Sequence, residues 1–166
     1  LFRSPHVLHA DSTEKTSDEK GEKEENIEPV HNGKRILLIV EDNRDICDYI
    51  VESFSDDFEV RTAANGEQGL EQALGCIPDI IVSDIMMPVM NGIVMCRKLK
   101  EDLRTSHIPI ILLTAKDSLQ DKEEGYQVGA DSYLTKPFSA TLLHSRIHNL
   151  LESRKLLAER FNTNSI

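Results

Sequence analysis

The chain has 166 residues, of which 39% are hydrophobic and 29% are charged, so it is long enough for one domain with a buried core. Its net charge of -10 argues against nucleic-acid binding by this chain, because such binding requires a basic patch that neutralises phosphates. The three cysteines are odd in number and widely spaced, which indicates neither a disulfide framework nor a zinc site and favours a reducing, cytoplasmic setting.

The amino-terminal region differs in composition from the rest of the chain. Residues 11–28 contain eight acidic side chains, three lysines and a single aliphatic side chain, too little apolar surface to offset the entropy lost on folding. Residues 1–10 contain no apolar run near the roughly 18–20 residues of a membrane span. We predict that residues 1–33 form a disordered acidic linker or the remnant of a preceding module, in a piece of a longer protein without membrane insertion.

Apolar runs alternate with segments of helical periodicity from residue 35 onward. The runs predict five strands, at residues 36–40, 58–63, 80–83, 108–113 and 131–134. The first run, from Ile36 to Val40, is continuously apolar, which is typical of a parallel sheet covered by helices on both faces. The pattern predicts a doubly wound α/β domain.

The segments between the strands carry helix signals. Apolar side chains at every fourth position predict a face against the sheet in the first and third helices: Ile46, Ile50, Phe54, Met95, Leu99 and Leu103. Asn-Gly pairs at 65–66 and 91–92 predict helix starts. The i, i+4 pair His144 and His148 in the last helix predicts a solvated face rather than a metal site, because no third ligand is evident.

The last helix extends beyond what one domain of this size needs. Ser139 is its predicted N-cap, and a seam with heptad-like spacing follows: Leu143, Ile147, Leu150, Arg154, Leu157 and Phe161. We predict that residues 152–166 prolong the helix, either as a linker to a following domain or as a surface that pairs with a second copy of the chain.

Polar side chains stand where the predicted strands end. Glu41 and Asp42 follow the first strand, Asp84 the third, Thr114 the fourth and Lys136 the fifth. Ligands of doubly wound sheets bind at these carboxyl ends. A single acid there is more often a helix cap, but three acids together supply the oxygen ligands that Mg²⁺ prefers beside a phosphate. The Lys136 amine would relieve repulsion among the acids and stabilise an incoming phosphoryl group.

Four segments of the chain resemble the receiver domains of bacterial two-component response regulators. The resemblance covers residues 34 to about 151, and its motifs are Leu-Ile-Val-Glu-Asp-Asn, Asp-Ile-Met-Met-Pro-Val-Met-Asn-Gly, Leu-Leu-Thr-Ala-Lys and Gly-Ala-Asp-Ser-Tyr-Leu-Thr-Lys-Pro-Phe. It implies a flavodoxin-like fold with five parallel strands in the order 2-1-3-4-5 and five helices, arranged as three αβα layers.

The resemblance also implies specific roles for the residues at the strand ends. Asp84 would accept a phosphoryl group from a phosphohistidine of a sensor kinase. Glu41, Asp42 and Asp84 would bind Mg²⁺ through their side chains, and Met86 would add its backbone carbonyl. Lys136 would pair with the phosphoryl oxygens, so the site would catalyse only its own phosphorylation and dephosphorylation.

Two further residues would form the switch that the resemblance implies. The Thr114 hydroxyl would donate to the phosphoryl group and, by moving inward, let Tyr133 rotate into the vacated space, which would reshape the last strand and its helices. Met86 and Lys116 stand where the family controls the access of water, and a thioether cannot orient water. Unless Met86 only packs, this indicates slow self-hydrolysis, with a phosphoryl lifetime longer than seconds.

The wider context follows from the resemblance alone. Residues 106–118 and the long arm after them are most similar to receivers of one-chain hybrid systems, in which a histidine kinase precedes the receiver and an AraC-type DNA-binding output domain often follows. The parent chain of such a cytoplasmic receiver can be anchored in the inner membrane. The alternatives are a stand-alone response regulator or phosphorelay carrier, and two poor fits, a flavin carrier and an aspartyl-nucleophile phosphohydrolase, which needs an acid where Met86 stands.

Overall fold

The computed structural model describes residues 33–115 and 119–163. The acidic segment predicted to be disordered lies, apart from Gly33, outside these described residues, and so does Lys116. Strands and helices alternate along the chain as β1 Arg35–Val40, α1 Arg44–Phe54, β2 Phe58–Ala63, α2 Gly66–Cys76, β3 Ile80–Asp84, α3 Gly92–Glu101, β4 Ile110–Thr114, α4 Leu119–Gln127, β5 Ser132–Thr135 and α5 Ala140–Thr163.

The five strands form one parallel sheet in the order β2-β1-β3-β4-β5, which confirms the predicted flavodoxin-like fold. The predicted fourth strand began two residues too early. Ile108 donates its N–H to the Thr105 carbonyl at 3.1 Å within a turn, and Pro109 has no N–H to contribute to the ladder. Because all strands run the same way, their carboxyl ends meet at one edge of the sheet.

Alternate side chains of each strand enter two separate cores. On one face, Leu37 and Ile39 of β1 pack with Phe54 of α1 and Ile147 of α5. On the other face, Leu38 and Val40 of β1 join the cluster that includes Met95 of α3. Each buried aliphatic side chain contributes about 1.5–3 kcal/mol, so the two cores hold the sheet and thereby the positions of its strand ends.

No helix among the described residues is long and apolar enough to cross a membrane.

Asparagine side chains start three of the helices. Asn65 and Asn91 accept the N–H of Gln68 and Val94 at 2.9 Å, as the Asn-Gly pairs predicted. Asn43 does the same for α1, accepting the Ile46 N–H at 3.1 Å. The Asn43 cap has a functional consequence, because it fixes the direction of the chain directly after Glu41 and Asp42.

Leu103 was wrongly predicted as part of the apolar face of the third helix. Helix α3 ends at Glu101, and Leu103 is 92% exposed. The Asp102 carboxylate accepts the N–H of Arg104 at 2.9 Å, which holds the chain in a turn and carries Leu103 away from the sheet.

His144 was also misassigned to a solvated face. Its ring stacks on Phe54 with a centroid distance of 3.9 Å, and its Nε2 lies 3.1 Å from the Ser53 carbonyl oxygen. His144 is therefore a packing residue between α5 and the end of α1, whereas His148 is exposed as predicted.

Helix α5 contacts the domain along its first half and again at Arg154. The Ser139 hydroxyl accepts the Leu142 N–H at 3.2 Å, in keeping with the predicted cap. The buried side chains of the helix, Leu143, Ile147 and Leu151, belong to the domain core. Arg154, the polar residue of the predicted seam, donates to the Asp131 carboxylate at 3.0 Å. The first half of the seam is thus occupied by the domain itself.

Candidate functional site

The side chains of Glu41, Asp84 and Lys136 meet at the carboxyl edge of the sheet. Strands β1 and β3 are neighbours, with Val40 paired to Ser83, so the acids that follow these residues lie side by side. The Lys136 Nζ reaches over β4 and lies 3.1 Å from Glu41 Oε2 and 3.1 Å from Asp84 Oδ2. One ammonium group therefore pairs with two carboxylates.

Backbone N–H groups hold the other carboxylate oxygens. Asp84 Oδ1 accepts the N–H of Ile85 at 2.8 Å, and Glu41 Oε1 accepts the N–H of Asn43 at 3.1 Å. The Glu41 side chain has no exposed surface, whereas 10% of the Asp84 side chain is exposed. Asp84 is thus the carboxylate of this pair that an incoming reactant can reach.

The site charges influence one another strongly. Burial raises the pKa of Glu41 to about 6 and the nearby Asp84 adds to this, although the Asn43 N–H and the Lys136 ammonium act in the opposite direction. Burial by itself would lower the pKa of Lys136, but its two carboxylate partners outweigh burial and raise it. The lysine therefore stays charged, while Glu41 changes its protonation near pH 6.

Asp42 completes an acidic cluster with Glu41 and Asp84. One carboxylate oxygen from each of the three lies within 4.8 Å of the others, and Asp42 is exposed whereas the other two residues are buried. An all-carboxylate donor set with one open side suits Mg²⁺, which takes oxygen ligands and retains several waters. The three predicted metal ligands are thus brought together, and the donor chemistry fits the ion.

The loop after β3 is folded tightly against Asp84. Gly92 donates its N–H to the Ile85 carbonyl at 2.9 Å, and a Cβ at Gly92 would overlap the backbone oxygen of Asp84. Only a glycine allows this approach. Met86 lies in the loop with its side chain 71% exposed, which does not support a role in core packing.

Thr114 and Tyr133 each bury a hydroxyl group that has no hydrogen-bond partner within the described part of the chain. Thr114 has no exposed surface, and Tyr133 is 6% exposed. The register pairs Leu112 with Tyr133 and Thr114 with Thr135, so both hydroxyl-bearing residues lie on the same face of adjacent strands. Buried hydroxyls are seldom left unpaired, and an unpaired one at a strand end is suited to a ligand.

Tyr49 is a residue of the site region that the sequence did not suggest. Its hydroxyl accepts the N–H of Ala140 at 3.0 Å, and its ring lies 6.5 Å from that of Phe138. This contact ties α1 to the start of α5 and borders the loop that contains Lys136 and its cis bond to Pro137. A cleft of about 510 Å³ opens beside it, next to Lys136. No sequence signal marks this role, because Tyr49 lies on the exposed side of its helix.

Comparison with known proteins identifies the family of this chain. Residues 37–148 match the family described as response regulator receiver domain. Histidine kinase P4 of Formosa agariphila is 42% identical over 129 residues, which cover 78% of this chain and 9% of that protein. Hybrid signal transduction histidine kinase D of Dictyostelium discoideum is 41% identical over 128 residues, 77% of this chain and 8% of that protein. The chain thus spans less than a tenth of the length of these two relatives.

Solved structures agree with the sequence relatives. The chemotaxis response regulator CheY4 of Vibrio cholerae superposes with a TM-score of 0.67 at 32% identity, over 70% of this chain and 98% of that one. The strand order and the family match both indicate a receiver domain. The chain belongs to the family of response regulator receiver domains and is a receiver of two-component signal transduction.

Proposed function

We propose that Asp84 is the phosphoacceptor of this receiver. The observation that carries the proposal is its partly exposed carboxylate, which is held by the Ile85 N–H on one oxygen and by Lys136 Nζ on the other. A carboxylate oxygen would form a bond to phosphorus while the bond from phosphorus to the imidazole nitrogen of a phosphohistidine breaks. That imidazole nitrogen keeps the bonding electrons and takes up a proton from water. Intact mass after treatment with acetyl phosphate tests the proposal, because one phosphoryl group should be added to the unmodified chain and none to Asp84→Asn.

The neighbouring side chains would bind the transferred group. Lys136 would pair with its oxygens, and the unpaired hydroxyl of Thr114 would donate to one of them. Glu41, Asp42 and Asp84, with the Met86 carbonyl, would hold Mg²⁺, which supplies positive charge that neutralises the phosphoryl oxygens. Tyr133 lies on the same face of the sheet as Thr114. Its rotation toward the space that Thr114 vacates would be the switch.

The affinity for Mg²⁺ is expected to depend on pH through Glu41. Its pKa of about 6 means that the carboxylate is ionised above this pH and protonated below it, and only the ionised form binds a metal. Affinity should therefore be constant above about pH 7 and fall by about tenfold between pH 7 and pH 5. Calorimetric titration with MgCl₂ at constant ionic strength measures this dependence.

Two variants separate Glu41 from other acids. Glu41→Gln should bind Mg²⁺ more weakly at pH 8, and the tenfold decrease in affinity between pH 7 and pH 5 should be lost. Glu52→Gln changes an exposed acid of α1 and should behave like the unmodified chain. Equal affinities of the unmodified chain at pH 7 and pH 5 would show that Glu41 does not titrate in this range, and an unchanged affinity of Glu41→Gln at pH 8 would show that it is not a ligand.

We further propose that the end of α5 is a linker to an output domain rather than a dimer seam. Leu143 and Ile147 are buried in the domain, Leu150 packs against the same core, and Arg154 is bonded to Asp131, so most of the predicted seam is engaged within the chain. A stable coiled coil needs about three or four heptads. An AraC-type DNA-binding output and a hybrid kinase parent remain predictions from the resemblance.

The linker proposal gives a simple expectation for the size of the chain. Light scattering at micromolar concentration should give the mass of a monomer, both without additions and with acetyl phosphate and Mg²⁺. A dimer in either state that is disrupted by Leu157→Glu would contradict the linker role and support pairing through the last helix.

A further inference from the structure

Helix α4 packs on the domain in an unusual way. All of its residues are described, and Gly125 is the one that is buried. A surface helix normally presents a stripe of large apolar side chains to the core. Here the buried residue has no side chain, so the groups that face it from the sheet determine how closely the helix can approach.

The group that faces Gly125 is the hydroxyl end of Tyr133. A Cβ at Gly125 would overlap the Tyr133 hydroxyl oxygen and would lie 2.6 Å from Tyr133 Cζ and 2.9 Å from Leu112 Cδ1. These distances are shorter than any normal contact between such atoms. The Tyr133 ring therefore occupies the space that a side chain at Gly125 would need.

Packing against Gly125, Leu112 and Tyr126 holds Tyr133 in this position. Its buried hydroxyl has no hydrogen-bond partner among the described residues, and a hydroxyl without a partner favours exposure to water. The ring is covered on one side by Tyr126, whose ring lies 4.5 Å away in an edge-to-face arrangement and is itself 60% exposed. Burial also raises the pKa of the Tyr133 hydroxyl. Burial of the Tyr133 ring is therefore opposed by its hydroxyl, so a small loss of space beneath α4 should be enough to move the ring toward solvent.

We propose that Gly125 is the positioning residue that admits Tyr133 beneath α4, so that the buried ring and the docked helix form one state. This inference rests on the proposed switch, in which Tyr133 responds to Thr114 on the same face of the sheet. Because the hydroxyl end of the Tyr133 ring lies directly against Gly125, movement of Tyr133 changes the support of α4. Gly125 thereby couples the phosphoryl site to the surface of this helix.

Fluorine NMR of the chain labelled with 3-fluorotyrosine tests the proposal. The sequence has three tyrosines, so single Tyr→Phe variants assign every signal. In the unmodified chain, the Tyr133 signal should shift much less than that of Tyr126 when H₂O is replaced by D₂O. In Gly125→Ala, the Tyr133 signal should acquire a solvent shift comparable to that of Tyr126.

Gly75→Ala is the matched control, because Gly75 is helical like Gly125 but is exposed, and a Cβ there meets nothing within 4 Å. Its Tyr133 signal should be unchanged. A Tyr133 signal that stays protected in Gly125→Ala would overturn the proposal.

If that variant folds poorly, thermal unfolding tests the proposal instead. Adding Gly125→Ala to Tyr133→Ala should lower the midpoint much less than adding it to the unmodified chain, and an equal decrease in both backgrounds would overturn the proposal.

Phosphoryl uptake separates this inference from the proposed function. Intact mass of the unmodified chain, of Gly75→Ala and of Asp84→Asn after treatment with acetyl phosphate tests the acceptor role without involving Gly125. An unmodified chain that takes up no phosphoryl group would refute the acceptor role and, with it, the link between Gly125 and signalling. The fluorine signals would still decide whether Gly125 positions the Tyr133 ring.

Discussion

Replacing Asp84 by Asn is expected to abolish phosphoryl uptake, with a loss on the order of 10⁴-fold or more, as for removal of other catalytic nucleophiles. The amide has nearly the same shape as the carboxylate, so the fold should be retained, but its nitrogen and oxygen are poor nucleophiles toward phosphorus. Intact mass after incubation with acetyl phosphate and Mg²⁺ should show one added phosphoryl group on the unmodified chain and none on the variant. The addition should also require Mg²⁺.

Asp56→Asn provides the matched control. Asp56 is exposed in the turn between α1 and β2, at the edge of the sheet opposite the site, and its variant should be modified like the unmodified chain. If Asp84→Asn were modified to the same extent, another side chain would be the acceptor. If the unmodified chain were not modified while a known receiver was, the domain would act as a docking surface without phosphoryl chemistry.

The parts of the structure that the sequence predicted best depend on many residues at once. The run from Ile36 to Val40 is apolar throughout, so it remains recognisable as a buried strand whatever its neighbours do. Glu41 and Asp84 come together because parallel strands end at one edge, and this holds for any sheet in which β1 and β3 are neighbours. Only the resemblance indicated that they are neighbours.

The parts that were missed depend on single contacts. Periodicity placed Leu103 on a helical face, but one side-chain acceptor, Asp102, diverts the backbone before that position. The spacing of His144 gave no sign that its ring stacks on Phe54, since the stacking depends on where α1 ends relative to α5. The role of Gly125 could not be predicted either, because it depends on the direction of one side chain, Tyr133, on another element.

The second large effect is expected from Lys136, whose side chain extends across β4 to the acidic site. Its ammonium group serves both Glu41 and Asp84, and the Glu41 side chain is fully buried. In the metal-free site, burial and the charge of Asp84 raise the pKa of Glu41, and the Lys136 ammonium group lowers it. During transfer the same group would face the negative charge on the phosphoryl oxygens, where removal of one such donor typically costs about 10²–10³-fold in rate.

Lys136→Met keeps most of the length of the unbranched side chain and removes its charge. We expect phosphoryl uptake from acetyl phosphate to slow by about 10²–10³-fold, measured by intact mass over time, whereas the control Lys98→Met, at an exposed position of α3, should react like the unmodified chain. The affinity for Mg²⁺ should not decrease, because a competing cation has been removed from Glu41 and Asp84. Unchanged uptake would show that Lys136 only balances the charge of the acids, and weaker Mg²⁺ binding would show that it organises the metal site instead.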